Sequence, residues 1–171
     1  MRSLNEIHIQ SYDSPLGELL IGSFENQLCL CDWQQRQKRA SIDRRLQTRL
    51  NAHYVNKKTA IIDTAFKQLN RYFRQELTQF DLPILMVGTD FQQRVWRSLQ
   101  TIPYASTTSY QTIASTIHNK TAVRAVANAI GANAVSLIIP CHRIIGSHGS
   151  LTGYAEGLAA KKQLLAIAQN T

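Results

Sequence analysis

With 171 residues, 44% hydrophobic and 18% charged, the chain has the composition of one globular domain or two small ones, which excludes disordered and repeat architectures. No apolar run is long enough to cross a bilayer, and the N-terminus (Met1 to Glu6) lacks a signal-peptide pattern, so a cytoplasmic protein with no membrane partner is expected. The formal net charge of +8, with a pI of about 9.7, favours polyanionic partners, nucleic acid above all, although many basic domains bind none.

From the N-terminus, residues 7–12 alternate in a strand-like way. Ser14-Pro15-Leu16-Gly17 is a turn signal, and residues 18–24 and 27–33 read as the arms of a hairpin around Glu25-Asn26. Cys29 and Cys31, at strand spacing in the second arm, would point to one face. A zinc site would need two more ligands, and His8 and His53 stand at no recognisable spacing, so the pair reads as core and no metal is expected. The third cysteine, Cys141, makes the count odd, which argues against a disulfide framework. An arginine-rich stretch, 34–49, reads as loop and helix. Residues 61–75 have helical spacing, with Ile62, Phe66, Leu69 and Phe73 on one face.

Asp81-Leu82-Pro83 and Gly88-Thr89 frame a linker, which sets a first domain over 1–82 and a second over 83–171. Residues 81–171 carry 7 Lys/Arg against 3 Asp/Glu, a cleaner basic balance than the 12 against 8 of residues 1–80. A helix over 90–99 places Phe91, Val95 and Leu99 on one side and stops at Ile102-Pro103. Ser109 can cap a short helix running to about 117, with Ile113, Ala114 and Ile117 inward. After the polar turn His118-Asn119-Lys120, a second helix spans 121–130, and the pair resembles a helix-turn-helix. In it Val123, Val126, Ala127 and Ile130 face the core, Thr121, Arg124 and Asn128 lie opposite, and Ala122, Ala125 and Ala129 form a thin side. Such a helix can approach DNA closely, but a surface helix of any small domain has the same pattern.

Residues 135–139 are a strand candidate running into Pro140-Cys141-His142-Arg143. A thiolate is the reactive form of cysteine, and a nearby imidazole can lower its pKa. Neighbours in a straight strand point to opposite faces, so Cys141 and His142 couple only if the chain turns or a water bridges them. A buried structural cysteine beside an exposed histidine is the commoner arrangement.

The longer run is more specific. Pro140-Cys141-His142-Arg143, then Gly149, Thr152-Gly153-Tyr154 and Gly157, resembles the active-site signature of the O6-alkylguanine-DNA alkyltransferases. The likeness covers residues 91–165 and includes Phe91-Gln92, Val95-Trp96, Ser109-Tyr110-Gln111, Ala122, Arg124-Ala125-Val126 and Asn133; the Ser14–Gly17 turn is a weaker match. The resemblance implies an α/β fold in two domains, a small ribonuclease-H-like α/β domain followed by a helical, winged-helix-like domain whose helix-turn-helix enters the minor groove. It implies single-turnover methylated-DNA–protein-cysteine methyltransferase activity on double-stranded DNA containing O6-alkylguanine, without a cofactor, by a monomer.

Under that resemblance Cys141 accepts the alkyl group, and His142 takes the thiol proton through a water. Tyr110 presses on the flipped nucleotide's phosphate and can protonate the leaving base. Arg124 fills the vacated stack, with further DNA contacts from Gln111, Ala125, Asn128 and Ser147. Ile130, Ile144, Tyr154, Ala155 and Glu156 line the base pocket, and Asn133 ties the recognition helix to the active-site turn. Base extrusion is required because the lesion oxygen lies inside the duplex.

The sequence departs from the family in the last helix, where Ala168 stands in place of the glutamate that holds the active-site histidine. Glu156, where relatives have glycine or tryptophan, is a candidate replacement, and an unchanged transfer rate in Glu156→Ala would reject it. Ala105 and Gly131 also differ from common family residues and bear on DNA contacts. The competing reading is a non-catalytic alkyl-damage sensor, against which Cys141 argues. A self-methylating transcription activator needs a metal-binding cysteine domain that this chain has no room for, and a cysteine hydrolase needs a distant histidine and an oxyanion pocket.

Overall fold

Ser14 closes the first turn, donating from Oγ to Gly17 O at 2.6 Å and accepting from Leu16 N at 3.1 Å. It folds β1 (Asn5–Ser14) back on β2 (Gly17–Phe24) in antiparallel register. Glu25 (φ 48°) and Asn26 (φ 65°) then make the two-residue left-handed turn into β3 (Gln27–Trp33), a backbone whose twist suits a tight hairpin. The computed structural model describes residues 3–146, 154 and 157–169. It divides into two units, Met1–Gly88 and Thr89–Thr171.

In the first unit, α1 (Arg39–Leu50) carries the chain across to β4 (Ala52–Asn56), which pairs parallel to β1 and completes a sheet of order β3-β2-β1-β4. Only Ile42 and Leu46 of α1 are buried, too little to hold so polar a helix by packing. An ionic network holds it as well. Buried Asp32 accepts from Arg36 at 3.0 Å and Arg39 at 2.7 Å, Arg39 also reaches Asp43 at 2.7 Å, and Tyr54 donates to Asp43 at 2.5 Å.

The helix α2 (Ala60–Phe73), capped by Thr59, packs on β1, β2 and β3. Its inward stripe is Ile62, Ala65, Leu69 and Tyr72, not the expected Ile62, Phe66, Leu69 and Phe73. Small Ala65 lets the helix approach the sheet. Phe66 flanks the stripe, its ring edge-on to Tyr12 at 5.0 Å. Each large apolar side chain on the stripe contributes about 1.5–3 kcal/mol by burial. Cys29 and Cys31 are both buried in β3, and burial pushes the Cys29 thiol up to about 12, as suits an inert core residue.

The units meet at Gly88/Thr89, six residues beyond the expected break at 82/83. Backbone pairing is the reason: Leu28 N donates to Pro83 O at 2.8 Å and Leu85 N to Leu28 O at 2.9 Å, so this stretch lies along β3 in the first unit.

The second unit opens on a capping box: Thr89 Oγ accepts from Gln92 N at 3.1 Å, and Gln92 accepts from Thr89 N at 2.9 Å. This starts α3 (Asp90–Leu99), which buries Val95, Trp96, Ser98 and Leu99, with Phe91 only half-buried. A short strand, β5 (Thr108–Ser109), leads into α4 (Tyr110–Thr116), where Ser109 accepts from Thr112 N at 3.1 Å as the cap. His118 (φ 60°) ends α4: Asn119 N reaches Ala114 O at 2.9 Å and His118 N reaches Ser115 O at 3.0 Å, a Schellman close. The next helix, α5 (Val123–Gly131), packs against both α3 and α4. Its core face is rotated from expectation. Val126, Ala129 and Ile130 are buried, whereas Val123 and Ala127 are half-buried, because the Trp96 indole donates to Ala129 O at 2.8 Å and draws that side inward. A 3-10 turn (Cys141–Arg143), β6 (Ile144–Ile145) paired parallel with β5, and α6 (Leu158–Gln169) complete the unit.

Candidate active site

The path to Cys141 is a turn rather than the strand expected over 135–139. Leu137 adopts φ 71°, Ile138 N reaches Ser136 O at 2.9 Å, and Ile139 N reaches Val135 O at 2.9 Å. A left-handed leucine costs on the order of 1–3 kcal/mol, so its surroundings must over-determine it. Buried Asn133 does so: its Oδ1 accepts from Val135 N at 2.9 Å and its Nδ2 donates to Ile139 O at 3.0 Å. The apolar side chains of Val135, Leu137 and Ile139 are all buried around it. Asn133 thus links the end of α5 to the residues that lead into Cys141.

Cys141 N then donates to Ile139 O at 2.8 Å and Arg143 N to Pro140 O at 3.1 Å, winding Cys141, His142 and Arg143 into the 3-10 turn. Because the chain turns here, Cys141 and His142 escape the opposed facing of strand neighbours. Cys141 is 8% exposed and His142 1%. Arg143, also buried, donates to Ile102 O at 2.9 Å and lies 5.6 Å over the Tyr104 ring, anchoring the turn to the loop after α3. Ile144 is buried and pairs with Thr108 in the two-stranded sheet. Two residues beyond Thr108, half-buried Tyr110 is the first residue of α4, so this pairing ties the active-site turn to the helix that carries Tyr110.

His142 has the most perturbed environment. Its Nδ1 is buried and has no hydrogen-bond partner among the described residues. Burial first, then the positive charges of Arg143 and Lys161, push the imidazole down to about 3, so it is neutral at physiological pH. The half-buried Tyr154 ring stands edge-on to it at 6.4 Å. The helix α6 packs against the turn and turns Ala160, Lys161, Leu164 and Ala168 inward. Ala168, in the place expected of a glutamate, therefore lies on the buried side of α6 with nothing to offer an imidazole.

Lys161 is the residue that sequence reasoning missed. It is 1% exposed, and its ammonium donates to Ile144 O. Burial lowers its pKa and its interaction with Cys141 raises it. The available signal was positional: Lys161, Leu164 and Ala168 follow helical spacing, so a lysine falls on a core stripe.

On α5, Arg124, Ala125 and Asn128 are exposed together, with Thr121 exposed just before the helix. Gln111, at the start of α4, is exposed and donates to Lys120 O at 3.3 Å, bracing the turn between the helices. Ile130 is buried in the core face of α5. Ser147, Ala155 and Glu156, expected at the site, lie outside the described residues. Among the described residues no cluster of His, Cys, Asp or Glu could hold a metal ion, and no helix is long and apolar enough to cross a membrane.

Comparison with known proteins matches both units. The 6-O-methylguanine DNA methyltransferase ribonuclease-like domain matches residues 7–86, and the DNA-binding domain of the same family matches residues 90–169. A methylated-DNA–protein-cysteine methyltransferase of Mycobacterium tuberculosis is 41% identical over 164 residues, covering 94% of this chain and 92% of that protein. One of Methanosarcina barkeri is 40% identical over 158 residues, covering 92% and 94%. The structure of Mycobacterium tuberculosis OGT in complex with DNA superposes with a TM-score of 0.81 at 38% identity, covering 95% of this chain and 93% of that one. Over nearly its whole length, in both units and in the order of its motifs, the chain belongs to the 6-O-methylguanine DNA methyltransferase family.

Proposed function

We propose that this protein repairs DNA by direct reversal, drawing O6-alkylguanine out of the duplex and moving the alkyl group irreversibly onto its own Cys141. The observation that carries this reading is the cysteine held nearly buried in a turn braced by Asn133 and Arg143, in the same unit as an exposed helix bearing Arg124, Ala125 and Asn128. A duplex lesion cannot reach such a thiol unless its base leaves the stack. Arg124 enters the gap and offsets part of the few kcal/mol that extrusion costs. Gln111, Ala125, Asn128 and Ser147 contact the strand, and Ile130, Ile144, Tyr154, Ala155 and Glu156 bound the base.

The chemistry closes without a cofactor. The Cys141 S–H bond ionises and its proton leaves through His142. The thiolate attacks the alkyl carbon in line, so a C–S bond forms as the C–O6 bond breaks. The electron pair of that bond goes to the guanine, which takes a proton through the Tyr110 hydroxyl. The product is a thioether, which no group here cleaves, so each molecule acts once. Every residue with a role lies in the second unit of one chain, as suits a monomer. Phosphate contacts supply much of the affinity, and binding therefore weakens as salt rises.

Titration with a duplex bearing one O6-methylguanine whose methyl is isotopically labelled tests this. The label on protein should reach a plateau at one methyl per molecule and stay there. Continued turnover would contradict a thioether end product. Tight lesion binding with no label on the protein would leave a damage-binding protein instead.

A further inference from the structure

The helix α3 grips both helices of the DNA-facing pair by their carboxyl ends. Arg94 and Trp96, two residues and so about 200° apart around α3, stand on either side of the buried Val95 and Leu99. From one flank, the exposed Arg94 donates through Nη2 to Ile117 O, in the cap that closes α4. From the other, the buried Trp96 indole donates to Ala129 O, in the last turn of α5. The carbonyls at a helix's carboxyl end lack partners within the helix and carry partial negative charge. A guanidinium placed there satisfies both demands.

The residues that the repair reading turns toward DNA sit at the opposite ends. Tyr110 and Gln111 open α4, and Arg124 and Ala125 fall in the first turn of α5. The short α4 buries only Ile113 and Ala114, which hold it against the core and leave its direction weakly determined. Its amino end is fixed by the pairing of β5 with β6, and its carboxyl end by Arg94. Two fixed points define an axis.

We propose that Arg94 is a positioning residue for base extrusion. Through Ile117 O it sets the direction of α4, and together with Trp96 on Ala129 O it fixes Tyr110 and Gln111 relative to Arg124. Arg94 acts through the helix and not on a phosphate. This inference rests on the alkyl-transfer reading.

The test uses the full chain and a duplex bearing one O6-methylguanine. Arg94→Met keeps the stem and removes the charge and the donors. Three quantities are read: methyl transfer at saturating duplex, the salt dependence of duplex binding, and carbamidomethylation of Cys141 by iodoacetamide, followed by peptide mass. Arg94→Met should transfer about tenfold more slowly than the parent, the loss of one charge-assisted hydrogen bond. Its salt slope and its iodoacetamide reactivity should match the parent's. Arg94→Lys, which keeps a charged donor for a bond that uses one nitrogen, should return to within about threefold.

Parent-like transfer in Arg94→Met, even with a lower melting temperature, would overturn the proposal, since Arg94 would then support the fold alone. A salt slope reduced by about one would overturn it too, by making Arg94 a direct phosphate contact. So would an equal loss of iodoacetamide reactivity, because the effect would then reach the thiol itself. Should Arg94→Met fail to fold, Arg94→Gln, polar and neutral at this exposed position, is read against the same outcomes. A parent that takes no methyl from the lesion duplex sinks the repair reading and this inference with it, whereas an active parent matched by Arg94→Met sinks the inference alone.

Discussion

The two units bury charge in opposite ways. In the first, Asp32 meets Arg36 and Arg39, and Arg39 meets Asp43, so each of those buried guanidinium groups answers a carboxylate. In the second, buried Arg143 and Lys161 donate to the backbone carbonyls of Ile102 and Ile144. The first arrangement fixes a polar helix to a sheet. The second places positive charge beside His142 and, with burial, holds its imidazole neutral. Carboxylate pairing fixes a helix in the first unit, and cations buried on backbone carbonyls shift the titration of a neighbouring histidine in the second.

Substitutions in each unit should separate these two uses. The largest effect on stability is expected at Asp32. Asp32→Ala leaves Arg36 and Arg39 facing each other without their shared carboxylate and should cost about 3–5 kcal/mol in urea unfolding of the first unit. The iodoacetamide reactivity of Cys141 should be unchanged in the protein that remains folded. Asn133→Ala comes next. It leaves Val135 N and Ile139 O buried without their partner and removes the support of left-handed Leu137, costing about 2–4 kcal/mol and slowing alkyl transfer as the turn loosens. A variant that lost stability with an unaltered transfer rate would break the link between this turn and the chemistry.

Arg124→Ala should lower the transfer rate from duplex DNA about tenfold, one part of the few kcal/mol that base extrusion costs, with no change in iodoacetamide reactivity. Equal loss in both assays would mean that Arg124 acts on the fold rather than on DNA.

The effect at His142 is one of pH. His142 is held down to about 3 in the folded protein against about 6.5 when unfolded. Between those values the unfolded chain binds a proton that the folded one refuses, so stability present above pH 6.5 is lost as pH falls toward 3. Ala168→Glu should raise the His142 midpoint and flatten that loss, read by denaturant unfolding across pH 3–7. An unaltered slope would show that position 168 does not reach the imidazole.

Much of the architecture was legible because local chemistry declares it. Glu25-Asn26 between apolar runs gave the hairpin, and Ser109 and the turn at His118 gave the two-helix motif. The stripe of α2 was misassigned because aromatic residues were given priority over Ala65, although close packing on a sheet favours the small one. The turn at Leu137 could not be read at all. A run of apolar residues has no periodicity to distinguish a buried strand from a buried turn, and the hydrogen bonds that decide it come from Asn133. At the site, Cys141 was legible through its motif, whereas Lys161 was hidden by the rule that lysines face water. A core stripe interrupted by a single lysine is the pattern that would have exposed it.

The central claim is alkyl transfer to Cys141, and intact-protein mass after mixing with a duplex carrying O6-methylguanine tests it most directly. The account predicts a gain of one methyl in place of one hydrogen, mapped to the peptide containing Cys141 and absent from Cys141→Ala. An unchanged mass at saturating lesion, or a methyl mapped to any other residue, would contradict it.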